Sequence, residues 1–151
     1  MALSDIRSEI KTILEAVDDI GIVHDYDRWA KNWDDFLSLF KTADNKIHGW
    51  CFFRKATPAK RDTMPTIQRT HHFRIKGIYG LSDADASETT FQDIVEAIQD
   101  AFDSKYMLNN AAGVINSGPV QVHLIENRLF GKVLCHYAEL DYEVIERVFY
   151  T

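Results

Sequence analysis

The sequence predicts an α+β fold in which a mostly antiparallel sheet carries two main helices packed on one face and a long projecting β-hairpin. Three observations lead to this prediction. Two segments place apolar residues at helical spacing, two longer regions alternate with a period of two, and a polar segment with two prolines divides the first of those regions. The 151 residues are expected to form a single domain, residues 1–151, around one core.

The first predicted helix covers residues 4–18. Ser4 can cap its start, and Asp5 lies near the positive end of the helix dipole. Its apolar stripe consists of Ile6, Ile10, Ile13, Leu14 and Val17. This stripe predicts that one helix face packs on the sheet. The β-branched run IGIVHDY then predicts a first strand at about residues 20–25.

A second helix is predicted at residues 88–104, with Ser87 as its cap. Its buried stripe consists of Phe91, Ile94, Val95, Ile98 and Phe102. Asp93, Glu96 and Asp100 lie on the opposite, acidic face. The segment 108–119 that follows is rich in Asn and Gly, which predicts a loop.

Residues 26–46, between the first strand and the long hairpin, carry several large apolar side chains at helical spacing. The spacing of Trp29, Trp33 and Phe36 fits a helix of about three turns. One interpretation is that these side chains cover an open end of the core. The other is that Trp29 and Trp33 contact a neighbouring subunit, since Trp is enriched at binding centres.

The long hairpin is predicted from Ile47 to Leu81. Its arms, IHGWCFFRKA and IQRTHHFRIKGIYGL, alternate with period two and are rich in strand-favouring residues. Pro58 and Pro65 lie in the connecting segment TPAKRDTMP, which predicts a polar loop. In the second arm, His71 and His72 should point to opposite faces, one buried and one exposed.

A second hairpin is predicted at the end of the chain, from VQVHLIENRLF to KVLCHYAELDYEVIERV around a turn near residues 127–131. In its last strand Glu139, Asp141 and Glu143 share one face, and Leu134, Ala138, Leu140, Tyr142 and Val144 share the other.

Charge is distributed unevenly along the chain. The 17 basic and 23 acidic residues give a net charge of −6, yet residues 54–76 contain seven basic residues and the single acid Asp62. That leaves 10 basic and 22 acidic residues elsewhere. The sequence therefore predicts a molecule with a basic arm on an acidic body.

Several classes of protein are disfavoured. No run approaches the roughly 20 apolar residues of a membrane span, and the acidic start differs from a signal peptide, so no membrane partner and a cytoplasmic origin are expected. Cys51 and Cys135 are expected to be buried thiols, and neither cysteines nor histidines show metal-ligand spacing. No nucleophile elbow or phosphate loop is present, so we expect no catalytic residue, metal or cofactor.

The order of these segments resembles the tail-terminator, or tail-completion, proteins of tailed bacteriophages. The resemblance covers nearly the whole chain: an amphipathic first helix, the strand GIVHDYDRW, the excursion IHGWCFFRKA to THHFRIKGIYGL, the helix SETTFQDIVEAIQDAF, and a hairpin that includes LCHYAELDYEV. In such proteins six copies form a ring on the last ring of the tail tube, which stops tube growth and offers a surface to the head.

The resemblance implies a structural protein with no catalytic residues. Its partners would be its own copies in a homohexameric ring, the tail-tube protein and a head-completion or neck protein, with DNA passing through the lumen without specific binding. It would assemble in the host cytoplasm and reside in the virion tail at the head–tail junction.

The charge pattern independently favours head-to-tail contacts between identical copies, because unlike complementary patches can close into a ring. The predicted basic contact residues are Lys60, Arg61, Arg69 and Arg74. The predicted acidic contact residues are Asp93, Glu96 and Asp100 on the second helix, or Glu139, Asp141 and Glu143 on the last strand.

Two alternatives remain open. A head–tail joining or connector ring protein has the same order of elements. A nucleic-acid-binding module would use the basic hairpin, with Trp50, Phe52, Phe53 and Phe73 as stacking platforms, although the net charge of −6 disfavours it.

Overall fold

A computed structural model, which describes residues 2–105, 108 and 113–150, contains three α-helices and a mixed sheet of seven strands. The α+β class is therefore confirmed. The helices are α1 (Ala2–Glu15), α2 (Trp33–Ser38) and α3 (Ser87–Asp103). The strands are β1 (Ile22–His24), β2 (His48–Ala56), β3 (Ala59–Thr63), β4 (Thr66–Gly80), β5 (Val114–Ser117), β6 (Gln121–Phe130) and β7 (Val133–Phe149). None of the helices in this described part is long and apolar enough to cross a bilayer.

The sheet is organised around the pairing of β4 with β7. The strand order is β1-β2-β4-β7-β5, while β3 also pairs with β4 and β6 also pairs with β7. Only β1 and β2 are parallel among the strand pairs of the described residues; the other pairs are antiparallel. The β4–β7 ladder runs without interruption from Thr66 opposite Phe149 to Gly80 opposite Cys135, a length of about 50 Å.

The main core lies between this sheet and the apolar faces of α1 and α3. The stripe of α1 includes Ile6, Ile10 and Leu14, each fully buried. The indole of Trp50 on β2 stacks on Phe91 of α3 with ring centroids 5.8 Å apart. Burial of these side chains removes the largest apolar surfaces of both helices from water, which is the main favourable contribution to folding.

A second, smaller core contains residues from the other face of the strands. Cys51 on β2, Ile78 on β4 and Tyr137 on β7 belong to it, whereas their sequence neighbours Trp50 and Ala138 belong to the main core. This division follows from the alternation of side chains along a strand. Phe36, Leu37 and Phe40 from the segment around α2 complete the second core, so the tryptophan-bearing insert covers part of the sheet.

Several element boundaries differ from the sequence predictions. Helix α1 ends at Glu15 rather than residue 18, and the strand that follows is limited to Ile22–His24. Helix α2 has six residues rather than three turns. Ser87 does not cap α3: the capping position belongs to Ala86, and Ser87 is the first helical residue.

The predicted loop between the arms of the long hairpin is wrong in part, because Ala59–Thr63 form strand β3. Every residue of β3 is exposed, yet Lys60 lies opposite Gln68 of β4 in an antiparallel ladder. Pro58 and Pro65 lie outside β3, so neither removes a donor from this ladder. Segment 108–119 was also predicted as loop, and it contains β5; its Asn109 and Asn110 lie outside the described residues.

The closing hairpin is present as β6 and β7, and its turn is restricted to residues 131–132. Ala138, Leu140, Tyr142 and Val144 are buried, as the alternation predicted, whereas Leu134 is exposed. His71 is buried and His72 is partly exposed, which confirms that they point to opposite faces. Both cysteines are buried free thiols, and burial raises the pKa of Cys135 to about 11.

Candidate subunit-contact surfaces

Arg74 lies at the centre of an ion-pair network that joins three strands. Its Nε donates to Asp141 Oδ1 at 3.1 Å, and its Nη1 lies 3.3 Å from Glu139 Oε1. Lys55 on β2 donates to the same Asp141 oxygen at 3.3 Å. Burial opposes ionisation of Asp141, but hydrogen bonds from Arg74 and Lys55 outweigh it and hold the pKa of Asp141 below its usual value.

The register of β4 and β7 explains why these charges meet. Arg74 lies directly opposite Asp141, and His72 lies directly opposite Glu143. His72 Nδ1 is 3.1 Å from a Glu143 carboxylate oxygen. The basic side of β4 and the acidic side of β7, predicted from sequence to meet between subunits, are therefore already paired within one subunit. A second copy could contact these residues only while their bonds within the subunit are kept; they are Arg74, Glu139, Asp141 and Glu143.

The remaining predicted basic residues, Lys60, Arg61 and Arg69, lie near the other end of the sheet on β3 and β4. Lys60 is exposed and has no ion-pair partner in the described part of the chain. Arg61 donates to the carbonyl oxygen of Met64 at 2.6 Å, and Arg69 donates to the Tyr150 hydroxyl at 3.0 Å. Neither bond neutralises a charge, so this region remains basic.

The acidic residues of α3 are exposed. Asp93, Glu96 and Asp100 lie three and four residues apart, which places them on one side of the helix. Across residues 2–105, 108 and 113–150, no basic side chain forms an ion pair with any of the three. They are the sequence-predicted acidic candidates that stay available to a partner.

Trp29 and Trp33 are both substantially exposed, at 64% and 46%. The Nε1 group of Trp29 donates to Asp27 Oδ2 at 2.8 Å, and Lys76 Nζ lies 4.6 Å from the centre of the Trp29 ring. Trp33 contacts Phe130 edge to face, with centroids 5.5 Å apart. Phe36 is buried, which supports the interpretation that this segment covers the core. The two tryptophans face solvent, which leaves them available to a neighbouring subunit.

An open pocket lies beside these two side chains, and we call it the tryptophan pocket. Its apolar lining includes Trp29, Trp33, Phe36, Ile78, Phe130 and Tyr137. Three basic residues also lie against it, but two of them have acidic neighbours: Lys76 is 3.1 Å from Asp27, and Arg128 pairs with Glu126. Their charges are therefore largely balanced at the pocket itself.

A second exposed apolar surface lies where β3, β4 and the end of β7 meet, and we call it the arm tip. It consists of Met64, Phe149 and Tyr150, which are 87%, 67% and 48% exposed. Phe149 pairs with Thr66, and the Tyr150 amide donates to the Pro65 carbonyl at 2.6 Å. This surface was not predicted from the sequence, although a methionine inside a polar, proline-flanked segment indicates an exposed apolar side chain.

Two buried histidine networks were also not predicted. His136 joins the hydroxyl of Ser87 (2.7 Å) to the side-chain oxygen of Asn127 (2.8 Å). His71 joins Glu146 (2.7 Å) to Thr57 (3.1 Å). Each network has the order hydroxyl, imidazole, oxygen acceptor, which is also the order in a catalytic triad. A substrate could not reach them as they stand, because Ser87, His136 and Glu146 are each only 4% exposed. Both networks satisfy buried polar groups between separate elements.

Three of the four aromatic residues proposed as base-stacking platforms are not on the surface: Trp50, Phe52 and Phe73 have no exposed area. A stacking platform needs an open ring face, so these three side chains cannot serve as one in this fold. Phe53 is half-buried, and Lys76 Nζ lies 5.0 Å from the centre of its ring. Within the described residues, no group of three or more His, Cys, Asp or Glu side chains converges as a metal site would require.

Comparisons with known proteins do not identify a family for this chain. No family model matches this chain, and no curated protein matches it. The surfaces that remain for a functional proposal are the basic β3–β4 region, the acidic side of α3, the tryptophan pocket and the arm tip.

Proposed function

We propose that this protein is a ring-forming structural component of a phage tail, a tail terminator that caps the tail tube, stops its polymerisation and presents a surface for head joining. The resemblance of its segments to tail-terminator proteins supports the proposal. The structural observation that carries it is that unlike surfaces lie on one subunit, an exposed basic region on β3 and β4 and an exposed acidic side on α3.

In this proposal β3 and the paired part of β4 form the projecting arm. A head-to-tail contact joins two different surfaces of identical molecules, and it closes into a ring when the rotation between copies permits. Lys60, Arg61 and Arg69 provide the basic side of that contact. Asp93, Glu96 and Asp100 are the candidates for the acidic side, because their charges have no partner among the described residues of the same chain.

The proposed capping mechanism involves no chemical reaction; it requires only that the ring binds to the end of the tube. A ring seated on the last ring of tube subunits covers the surface that the next tube ring would use, and growth stops. The opposite face of the ring then meets a head-completion or neck protein. The DNA would pass through the lumen without specific contacts, which fits the overall charge of −6.

A charge-reversal experiment tests the ring. Lys60→Glu combined with Arg61→Glu should shift the protein from hexamer to monomer in native mass spectrometry. The unfolding midpoint should change little, because both side chains are exposed and only the bond from Arg61 to the Met64 carbonyl is lost. The matched control is Lys11→Glu with Lys105→Glu. It changes the net charge of the protein by the same amount, but at positions outside β3 and β4. Reversal of Arg74 is unsuitable, because it would also break the network with Asp141.

Capping is tested separately. Adding the wild-type protein to polymerising tail-tube protein should shorten the tubes seen by electron microscopy and leave density at one end, whereas the charge-reversed variant should not. Binding to tube-free heads instead of tubes would assign the protein to head joining. A strict monomer that binds single-stranded DNA, with an affinity that falls steeply with salt, would contradict the proposal.

A further inference from the structure

We propose that the tryptophan pocket of one copy receives the arm tip, Met64 and Phe149, of a second copy of this chain. The inference rests on the proposed ring and supplies the apolar centre of its contact. Charged groups steer association and set register, but most binding energy comes from a few well-packed apolar or aromatic anchors. The arm tip and the tryptophan pocket have the properties of such an anchor and of a matching receptor.

The arm tip has the properties of an anchor. Met64 and Phe149 are the two most exposed large apolar residues of the described chain, at 87% and 67%. Local bonds hold the backbone at both positions: Arg61 donates to the Met64 carbonyl, and Phe149 is paired with Thr66 in the ladder. Because this backbone is already ordered, binding costs little further backbone entropy.

The tryptophan pocket has the properties of a receptor. Its lining is mostly aromatic or aliphatic, with three basic side chains beside it, and Phe36 and Phe130 stack within it with centroids 5.7 Å apart. Trp29 extends from the rim and is 64% exposed. An aromatic or methionine side chain that entered here would cover surface that now faces water, at about 25 cal/mol for each Å² of apolar area.

The two surfaces cannot meet within one subunit. The arm tip adjoins Thr66 at the start of β4, whereas the pocket includes Ile78 near its end. Twelve residues of strand separate these positions, which corresponds to about 40 Å. The contact therefore requires a second copy, and because the two surfaces differ it is a head-to-tail contact of the kind that builds rings.

The two chain segments beside these surfaces carry opposite net charges. The segment 25–35 beside the pocket contains four aspartates and two basic residues, whereas the segment 59–69 at the arm tip contains three basic residues and one aspartate. Two further basic residues line the pocket, Lys76 and Arg128, and each is paired with an acid, Asp27 and Glu126. Asp34 and Asp35 are exposed on α2, next to Trp33. Docking at the pocket would bring Lys60 and Arg61 towards these aspartates. In this inference Asp34 and Asp35 therefore replace the acidic residues of α3 as the partners of the basic arm, while the head-to-tail ring is kept.

Engineered cysteines provide the direct test. The native thiols Cys51 and Cys135 are buried, so a chain carrying Thr63→Cys and Lys31→Cys has its only exposed thiols, within the described residues, beside the two surfaces and keeps Met64 and Trp29. Mild oxidation should give a ladder of disulfide-linked species that ends at the closed ring. The matched control is Thr63→Cys with Val122→Cys, which places an exposed cysteine outside the pocket and should give no ladder.

Mixing of two defective variants tests the head-to-tail geometry. Met64→Asp with Phe149→Asp destroys the anchor, and Trp29→Asp places a charge at the receptor. Each variant alone should be a folded monomer whose association is at least about 30-fold weaker than wild type. An equimolar mixture should give a dimer, because one intact anchor and one intact receptor remain. Circular dichroism and the urea midpoint check that both variants fold.

The outcomes separate this inference from the proposed function. Two outcomes would overturn the inference and leave the ring proposal standing. One is a wild-type ring whose cysteine variant gives no disulfide ladder. The other is rescue of the Lys60→Glu/Arg61→Glu variant by charge reversal on α3, at Asp93, Glu96 and Asp100, and not by charge reversal at Asp34 and Asp35. Loss of tube binding by Trp29→Asp with an intact ring would assign the pocket to the tube protein and also overturn it. A laddered ring that does not affect tubes would contradict only the proposed function.

Discussion

Gly77 lies in the middle of β4 and leaves space for the indole of Trp50, the largest fully buried side chain described in the protein. Trp50 lies opposite Gly77 on the neighbouring strand, and a Cβ atom at position 77 would overlap several atoms of its ring. Gly80, at the end of the same strand, differs: a Cβ atom there would lie 3.6 Å from the nearest atom, which is ordinary contact.

We predict that Gly77→Ala destabilises the protein by about 1–3 kcal/mol, because the indole is packed on all sides and cannot move without disturbing Phe91. Gly80→Ala should change the free energy of unfolding by less than about 0.5 kcal/mol. Urea unfolding followed by tryptophan fluorescence measures both. Equal midpoints for the two variants would show that Trp50 is not confined as described.

Strands β2, β4 and β7 are joined by charged side chains as well as by backbone hydrogen bonds. Lys55, Arg74 and Asp141 come from three separate strands, and Asp141 accepts from both cations. The Asp141 side chain is 27% exposed, so solvent screens the interaction only in part. The network therefore contributes to holding the middle of the ladder together and is not simply a solvated surface.

The lowered pKa of Asp141 predicts a specific pH dependence. A carboxylate whose pKa is lower in the folded state stabilises the fold above its unfolded pKa of about 3.9, and this contribution is lost as pH falls through the folded pKa. Asp141→Asn should therefore cost roughly 1 kcal/mol at pH 7, and its difference from wild type should narrow below pH 4. Urea titrations at several pH values measure this.

Asp93→Asn is the matched control for this pH experiment. Asp93 is exposed on α3 and has no ion-pair partner among the described residues, so its replacement should change stability little at any of these pH values. A constant difference between Asp141→Asn and wild type from pH 7 to pH 3 would mean that the amide substitution acts through packing rather than through charge.

The whole molecule is electrically asymmetric, although less so than the sequence indicates. Of the seven basic residues between positions 54 and 76, Lys55, Arg74 and Lys76 form ion pairs with acids of the body. The basic character of the hairpin is consequently concentrated in the remaining four. Three of these lie on the β3–β4 ladder, with Arg61 and Arg69 on one face and Lys60 on the other.

This distribution predicts that salt affects assembly more than folding. Raising NaCl from about 50 to 500 mM shortens the Debye length from roughly 14 to 4 Å, and it should slow association of subunits by on the order of tenfold. The urea midpoint should change little, because the core is apolar. Stopped-flow light scattering measures the rate. The association rate of the Lys60→Glu/Arg61→Glu variant should depend less on salt than that of the wild type. An equal salt dependence would show that the basic arm does not steer association.

Local patterns were sufficient to identify most of the elements. The helical spacing of Ile6, Ile10 and Leu14 located α1, and the alternation around Phe73 and Tyr142 located the two long strands that form the ladder. These patterns could be recognised because each depends only on the period of a helix or strand and on which side is apolar. The α+β class follows from their order alone.

The partners of individual residues depended on tertiary structure. Arg74 and Asp141 are 67 positions apart, and only the register of β4 with β7 decides that they bond within one subunit. The polar residues of β3 form a strand because β4 offers a ladder, not because of their own propensity. The second core likewise arises because a segment distant in sequence covers the other face of the sheet. A sequence specifies the period and polarity of each segment, but pairings between distant segments emerge only when the whole chain is folded.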